Sequence, residues 1–220
     1  MASQARQAFD RNVKDVERLL RIHADVGGDA QGRRFGLEVL NKSGIVLITA
    51  IWEAYCEDLA AEALDHLVTN AKAGSSLPKE LKKKIAAEIK KDANDLAMWD
   101  LADAGWKARV RVRLTTLMAE RNRRLNTPKS DQIDELFGAA IGLSDASTGW
   151  RWKGMSVAQA KSKLDRFVEL RGAIAHRGAS ASGVKKVQVT NYLAHVKRLV
   201  GKTGGRVNTH VKAATGKALW

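Results

Sequence analysis

The chain has 220 residues, with 38 Lys+Arg against 24 Asp+Glu and a formal net charge of +14. That length suits one domain with a sizeable core, and 45% hydrophobic with 28% charged residues excludes a disordered chain. Two prolines argue against a many-turned β-sandwich, one cysteine excludes a disulfide framework or a cysteine-based zinc finger, and no run of about 18 apolar residues could span a membrane. The polar opening MASQARQAFD has no signal-peptide character, so a soluble, cytoplasmic protein is expected.

Residues 5–24 repeat apolar side chains at helical spacing: Ala5, Phe9, Val13, Val16, Leu19, Leu20 and Ala24. Gly27 and Gly28 stop that helix, and a polar turn runs to Gly32. Residues 37–70 read as one long helix. Its stretch GIVLITAIW, Gly44 to Trp52, carries no charge and is expected to be buried on all sides. Beyond it Trp52, Cys56, Leu59 and Ala63 form an inward stripe, which makes Cys56 a small core residue. A third helix begins at Leu77-Pro78-Lys79-Glu80, with Ser75 or Ser76 as N-cap. It carries Leu81, Ile85, Ile89 and Leu96 inward and lysines outward until Gly105-Trp106 breaks it.

The ARVRVRL run from Ala108 alternates locally as a strand would, but the longer window through Met118 and Leu125 favours a helix over 107–125. Asn126-Thr127-Pro128 makes a turn, and Ser130 or Asp131 caps a short helix to Ile141. A loop from Gly142 to Gly154 holds Trp150 and Trp152, which could stack bases but more commonly close a core. Ser156 caps a helix to about Ala175, with Gly178 after its end. A basic loop, 179–186, leads to a last helix over 187–200 with Val187, Tyr192, Val196 and Leu199 inward. The tail from Gly201 is basic, glycine-containing and without strong pattern. The expected architecture is one all-α bundle over residues 1–200, with residues 1–36 as an N-terminal helix and turn, 71–128 as a basic helical insertion and 201–220 as a tail.

Charge is concentrated. Residues 1–70 carry a net −3, residues 71–130 a net +8, residues 131–176 none, and residues 177–220 a net +9 with no acidic side chain at all. A polyanion, most commonly nucleic acid, is the partner such a balance implies.

Phosphate-binding and dinucleotide glycine loops, His-Glu-x-x-His and Gly-x-Ser-x-Gly are absent, and the five histidines do not stand at metal-ligand spacing. No cofactor or metal is implied. Two Arg-x4-His pairs occur. Arg18 and His23 lie on the amphipathic first helix and read as a solvated face. Arg171 and His176 differ, because Leu164, Phe167, Val168, Arg171, Ile174 and Ala175 follow one helical stripe. An arginine on a buried stripe requires a partner. Glu53, directly after the all-apolar run, is the candidate: it is either part-buried and bonded to Arg171, or one more exposed helix glutamate. His176, at the expected helix end, could swing back toward Arg171. A guanidinium stabilises phosphate charge and an imidazole moves protons near neutral pH, which together suffice for phosphodiester cleavage without metal.

The order of several segments resembles the HEPN domain, most closely its RiboL-PSP branch, from Ile45 to about Leu199. The resemblance rests on the apolar helix entering Trp52-Glu53-Ala54-Tyr55, on Leu77-Pro78, Gly105-Trp106 and Thr127-Pro128, and on Ile133-Asp134-Glu135-Leu136-Phe137. It continues through Gly142 to Trp150-x-Trp152, then Leu164-Asp165-x-Phe167-Val168-x-Leu170-Arg171 and Ile174-Ala175-His176. The family pattern has a polar residue after the arginine, where this chain has Gly172. The resemblance implies an HEPN-type up-and-down helical bundle with additional helices, acting as a metal-independent endoribonuclease, with a toxin or phage-defence effector as the expected setting. It implies Arg171 and His176 as the catalytic pair, in a homodimer with two facing sites and 2′,3′-cyclic phosphate products; Glu53, from its place after the apolar run, is the third catalytic candidate. Arg177, Lys185 and Lys186 follow the motif and are candidate phosphate contacts. RNA is the expected partner, with an antitoxin or defence-system protein as a further candidate and no membrane association. The alternatives are a non-catalytic RNA- or nucleotide-binding module, and a helical adaptor for an acidic protein.

Overall fold

The computed structural model describes residues 2–27, 36–119, 127–177 and 183–220. Among them are seven α-helices: α1 (Gln4–Gly27), α2 (Glu38–Asn70), α3 (Lys79–Ile89), α4 (Gly105–Ala119), α5 (Ser130–Ile141), α6 (Val157–Arg177) and α7 (Lys186–Thr215). The only strand-like feature among the described residues is an isolated bridge between Trp152 and Met155. The fold is the expected all-α bundle, and none of its described helices is long and apolar enough to cross a membrane. The expected stops at Gly28, Asn126 and Gly178 lie outside the described residues.

Helix α2 is the axis, packed against α1, α4, α5, α6 and α7. Ile45, Ile48, Ile51 and Trp52 are buried, Val46 and Leu47 are half-buried, and only Ala50 of the apolar run is exposed. The second-half stripe is as expected, with Trp52, Cys56, Leu59 and Ala63 fully buried. At the far end Glu62 accepts the Gln4 and Ala5 backbone N–H groups, each at 3.1 Å, so a side chain of α2 caps α1. On α1 itself His23 is buried where Ala24 was expected inward, and Ala24 faces solvent. The Arg18/His23 pair is therefore only half a solvated face.

The described part of residues 71–128 is more broken than its sequence suggests. Helix α3 has Pro78 at its N-cap, while Ser75 and Ser76 form a separate 3-10 turn. It buries Leu81, Ile85 and Ile89 but ends there, leaving Leu96 65% exposed. Asp92 accepts the Asn94 N–H at 3.1 Å and Asn94 accepts the Leu96 N–H at 3.0 Å, and these side-chain turns compete with the helix. Gly105 opens α4 rather than breaking α3. A Cβ there would lie 2.0 Å from the Asp100 carbonyl oxygen, so only glycine fits.

Helix α5 takes its cap from a distant residue. Neither Ser130 nor Asp131 is the N-cap; instead Asp165 of α6 accepts the Ser130 N–H at 2.8 Å and its hydroxyl at 3.0 Å. Ser156 caps α6 as expected: its N–H donates to Gln159 Oε1 at 2.9 Å, and its Oγ accepts the Gln159 N–H at 3.3 Å. Trp150 is a core residue whose Nε1 donates to Thr203 at 2.9 Å, which removes it as a base-stacking surface.

The largest departure is α7. It runs through Gly201, Gly204 and Gly205 to Thr215, where a patternless tail was expected, and Val187 at its start is 57% exposed rather than inward. Thr203, Val207 and Val211 continue the stripe of Val196, Leu199 and Val200, all buried, so packing overrides the low helix propensity of glycine. Gly204 has a specific reason to be glycine. A Cβ there would lie 2.8 Å from the Tyr55 hydroxyl, which is buried and donates to the Val200 carbonyl at 2.9 Å.

Gly204→Ala is accordingly expected to destabilise the protein by about 1–3 kcal/mol. Gly201→Ala and Gly205→Ala, which point into open space, should each stabilise it by about 0.5–1 kcal/mol. Urea unfolding midpoints separate the two behaviours. A second expectation concerns His195, which is buried with its Nε2 bonded to the Ala160 carbonyl at 3.1 Å. Burial pushes its imidazole down from an ordinary 6.5 to about 4, only partly offset by that bond. The folded protein holds His195 neutral, so this stabilisation is complete above pH 6.5 and is lost as pH falls toward about 4. His195→Gln should flatten that acid limb in unfolding midpoints measured against pH.

Candidate active site

Helix α6 is clamped on two sides before it reaches Arg171. On one side Asp165 holds the start of α5, and Glu169, one turn on, accepts from Lys129 at 2.7 Å. On another, the Phe167 ring stacks on Tyr192 of α7 with centroids 4.2 Å apart and planes 13° from parallel. These contacts fix the rotation of α6 and turn Arg171 toward α2.

Arg171 is half-buried, as is Glu53. Burial raises the Glu53 carboxyl above its ordinary 4.5, and the Arg171 guanidinium pulls it back down. The same cation acts on Tyr192, whose phenol burial pushes far up and whose bond with Thr49 and Arg171's charge oppose that rise. The charge of Arg171 on α6 thus acts on Glu53 of α2 and on Tyr192 of α7. The sequence pattern pointed to the first two and missed the third. Its signal was Thr49, the one hydroxyl inside the apolar run, which needs a buried partner and finds it in Tyr192 at 3.0 Å.

His176 is placed differently. Helix α6 continues to Arg177, past the expected end near Ala175, so His176 stays in the last turn and is exposed. Positions five apart on a helix stand about 140° around and about 7.5 Å along. Arg171 and His176 therefore do not converge on one face of their own helix, and the swing back expected of His176 does not occur. Lys185 is exposed at the N-cap of α7, where its N–H donates to Gln188 Oε1 at 2.8 Å, and Lys186 is half-buried beside it. The side chain of Arg177 lies outside the described residues. Among the described residues no group of His, Cys, Asp or Glu could hold a metal ion.

Chemically, the arrangement offers a half-buried guanidinium whose charge reaches a half-buried carboxylate, and an exposed imidazole near a helix end. The RiboL-PSP-HEPN family model matches residues 10–206, and the chain belongs to that family. The match takes in α1, which the sequence resemblance had left out. No curated protein and no solved structure matches the chain. HEPN domains are commonly RNases, which points to an RNase or RNA-related function.

Gly172, where the family pattern has a polar residue, has nothing within 4 Å of the position a Cβ would take. The backbone therefore does not demand glycine. Gly172→Ala is expected to raise stability by about 0.5–1 kcal/mol, and Gly172→Asn to fold without loss. Thermal unfolding of both variants checks this.

Proposed function

We propose that the protein is a metal-independent endoribonuclease in which Arg171 and His176 do the chemistry and Glu53 orients Arg171. The observation that supports it most is the half-buried Arg171, whose charge acts on Glu53, on the same helix that presents exposed His176, in a chain of the RiboL-PSP-HEPN family. In this reading the ribose 2′-oxygen attacks the adjacent phosphorus and its proton passes to an imidazole. The bond from phosphorus to the 5′-oxygen breaks, and that oxygen takes up a proton. The products are a 2′,3′-cyclic phosphate and a free 5′-hydroxyl. Arg171 stabilises the negative charge that grows on the phosphoryl oxygens, and its link to Glu53 keeps it from reorienting at that moment.

Two copies of the chain would complete the site. One histidine cannot readily take a proton on one side of the phosphorus and deliver one on the other, and Arg171 and His176 diverge around their own helix. Facing pairs across a two-fold axis supply a second imidazole and a second guanidinium. Lys185, Lys186 and Arg177, close in sequence to His176, would hold flanking phosphates. The physiological setting this reading suits is a toxin or phage-defence effector.

The test is cleavage of single-stranded RNA in EDTA. His176→Ala should lower the rate by about 10²–10⁴-fold. Arg171→Lys should also lose most activity, since an ammonium cannot reproduce the planar fork of donors. Metal-free cleavage untouched by His176→Ala would sink the assignment. Gly172 favours a second reading, a non-catalytic RNA-binding module, because the polar residue of the family pattern is missing there. Salt-dependent RNA binding without cleavage in the wild type, with cleavage appearing in Gly172→Asn, would select it.

A further inference from the structure

One helical turn before Arg171 on α6 and Glu53 on α2 lies a bridge between the same two helices. Phe167 precedes Arg171 by four residues on α6, and Thr49 precedes Glu53 by four on α2, so each shares a face with its successor. Tyr192 of α7 stands between them. Its ring is stacked on Phe167 at 4.2 Å, and its hydroxyl lies 3.0 Å from Thr49 Oγ1. Thr49 Oγ1 is also 2.9 Å from the Ile45 carbonyl, so with its one proton given there, Tyr192 donates to Thr49. Thr49 and Tyr192 are both fully buried.

A ring fixed at its face and at its tip has no rotational freedom left. Its face sets the height and rotation of the α6 turn that leads into Arg171, and its tip sets the α2 turn that leads into Glu53. We propose that Tyr192, anchored by Thr49 and stacked on Phe167, is the positioning residue that sets where Arg171 stands relative to Glu53. This rests on the ribonuclease reading for its consequence in catalysis, but not for its geometry. Tyr192 touches no reacting atom. It acts through the placement of the guanidinium.

The variants follow from the hydrogen-bond inventory. Tyr192→Phe keeps the ring and the stack and leaves Thr49 satisfied by Ile45. The double variant Thr49→Val/Tyr192→Phe removes both hydroxyls at once and strands neither partner, so it should fold and melt close to the wild type. Both should lower kcat for RNA cleavage about tenfold with KM nearly unchanged, because a displaced guanidinium weakens the transition state more than binding. Thr49→Ser, which restores an anchoring hydroxyl, should stay within about twofold of wild type.

A second readout does not need activity. The Arg171 Nε–Hε resonance, followed by NMR on the full chain, should shift and exchange faster with water in Tyr192→Phe and the double variant, and stay in place in Thr49→Ser. An Arg171 resonance unmoved by Tyr192→Phe would overturn the proposal, whatever the rates show. Unchanged kcat with a shifted resonance would overturn its catalytic consequence. A wild type with no cleavage at all would defeat the ribonuclease reading alone, and the resonance would still decide the positioning.

Discussion

A helix that carries no charge from Gly44 to Trp52 must be enclosed, and that requirement organises the molecule. Fully burying a large aliphatic side chain is worth about 1.5–3 kcal/mol, and α2 has several in succession. The other helices are disposed to provide that burial: α1, α4, α5, α6 and α7 all pack on α2. Trp52 closes the stretch, donating its indole N–H to the Pro128 carbonyl at 3.2 Å and packing against both Tyr55 and Trp150. The 142–154 loop and the Thr127-Pro128 turn are thereby drawn onto the same core.

The candidate site is a consequence of that enclosure. The first charge after the apolar run is Glu53, and the helices gathered around α2 leave it half-buried. A carboxylate there loses hydration that a cation must replace, and Arg171 of α6 acts on it as that cation. Arg171 in turn is made to face inward by its place on the stripe of Leu164 and Val168, both buried. His176 escapes because five residues place it about 140° around the helix from Arg171. The inward arginine and the outward histidine are thus set by one periodicity. A substrate or a second chain would have to bridge them for the pair to act together.

Periodicity was legible wherever it was local. The α1 stripe as far as Val16, the α2 stripe, Leu81, Ile85 and Ile89 of α3, the Ser156 cap and the burial of Cys56 all follow from residues within a few turns of one another. What could not be read was decided across the chain. Asp165 caps α5 from 35 residues away, and Glu62 caps α1 from 57. The length of α7 was hidden because Gly201, Gly204 and Gly205 weaken local propensity, while the packing that overrides it comes from Tyr55 on α2. Arg171 stands out as a charge on a buried stripe, and Glu53 as the first charge after the all-apolar run, each in conflict with its surroundings. Tyr192 was missed because a buried tyrosine on an apolar stripe raises no such conflict. Only its partner Thr49 did.

The excess charge also takes a different form in three dimensions. The acid-free segment is not simply an array of unpaired cations, since acids from elsewhere reach it: Glu17 of α1 pairs with Lys197 at 2.8 Å, and Asp145 with Arg206 at 2.5 Å. Both contacts lie along the outer course of α7, beyond Tyr192. Exposed Lys185, by contrast, sits at the start of α7, just after the short connection from His176. The two basic segments also dock by different routes, α3 and α4 onto α5 and α2, and α7 onto α2, α6 and α1. Of the two, α7 lies directly against the helix that carries Arg171. A polyanion held at the Arg171–His176 helix would therefore meet the charge at the start of α7 first. The rest of α7 is partly occupied in fastening the bundle together.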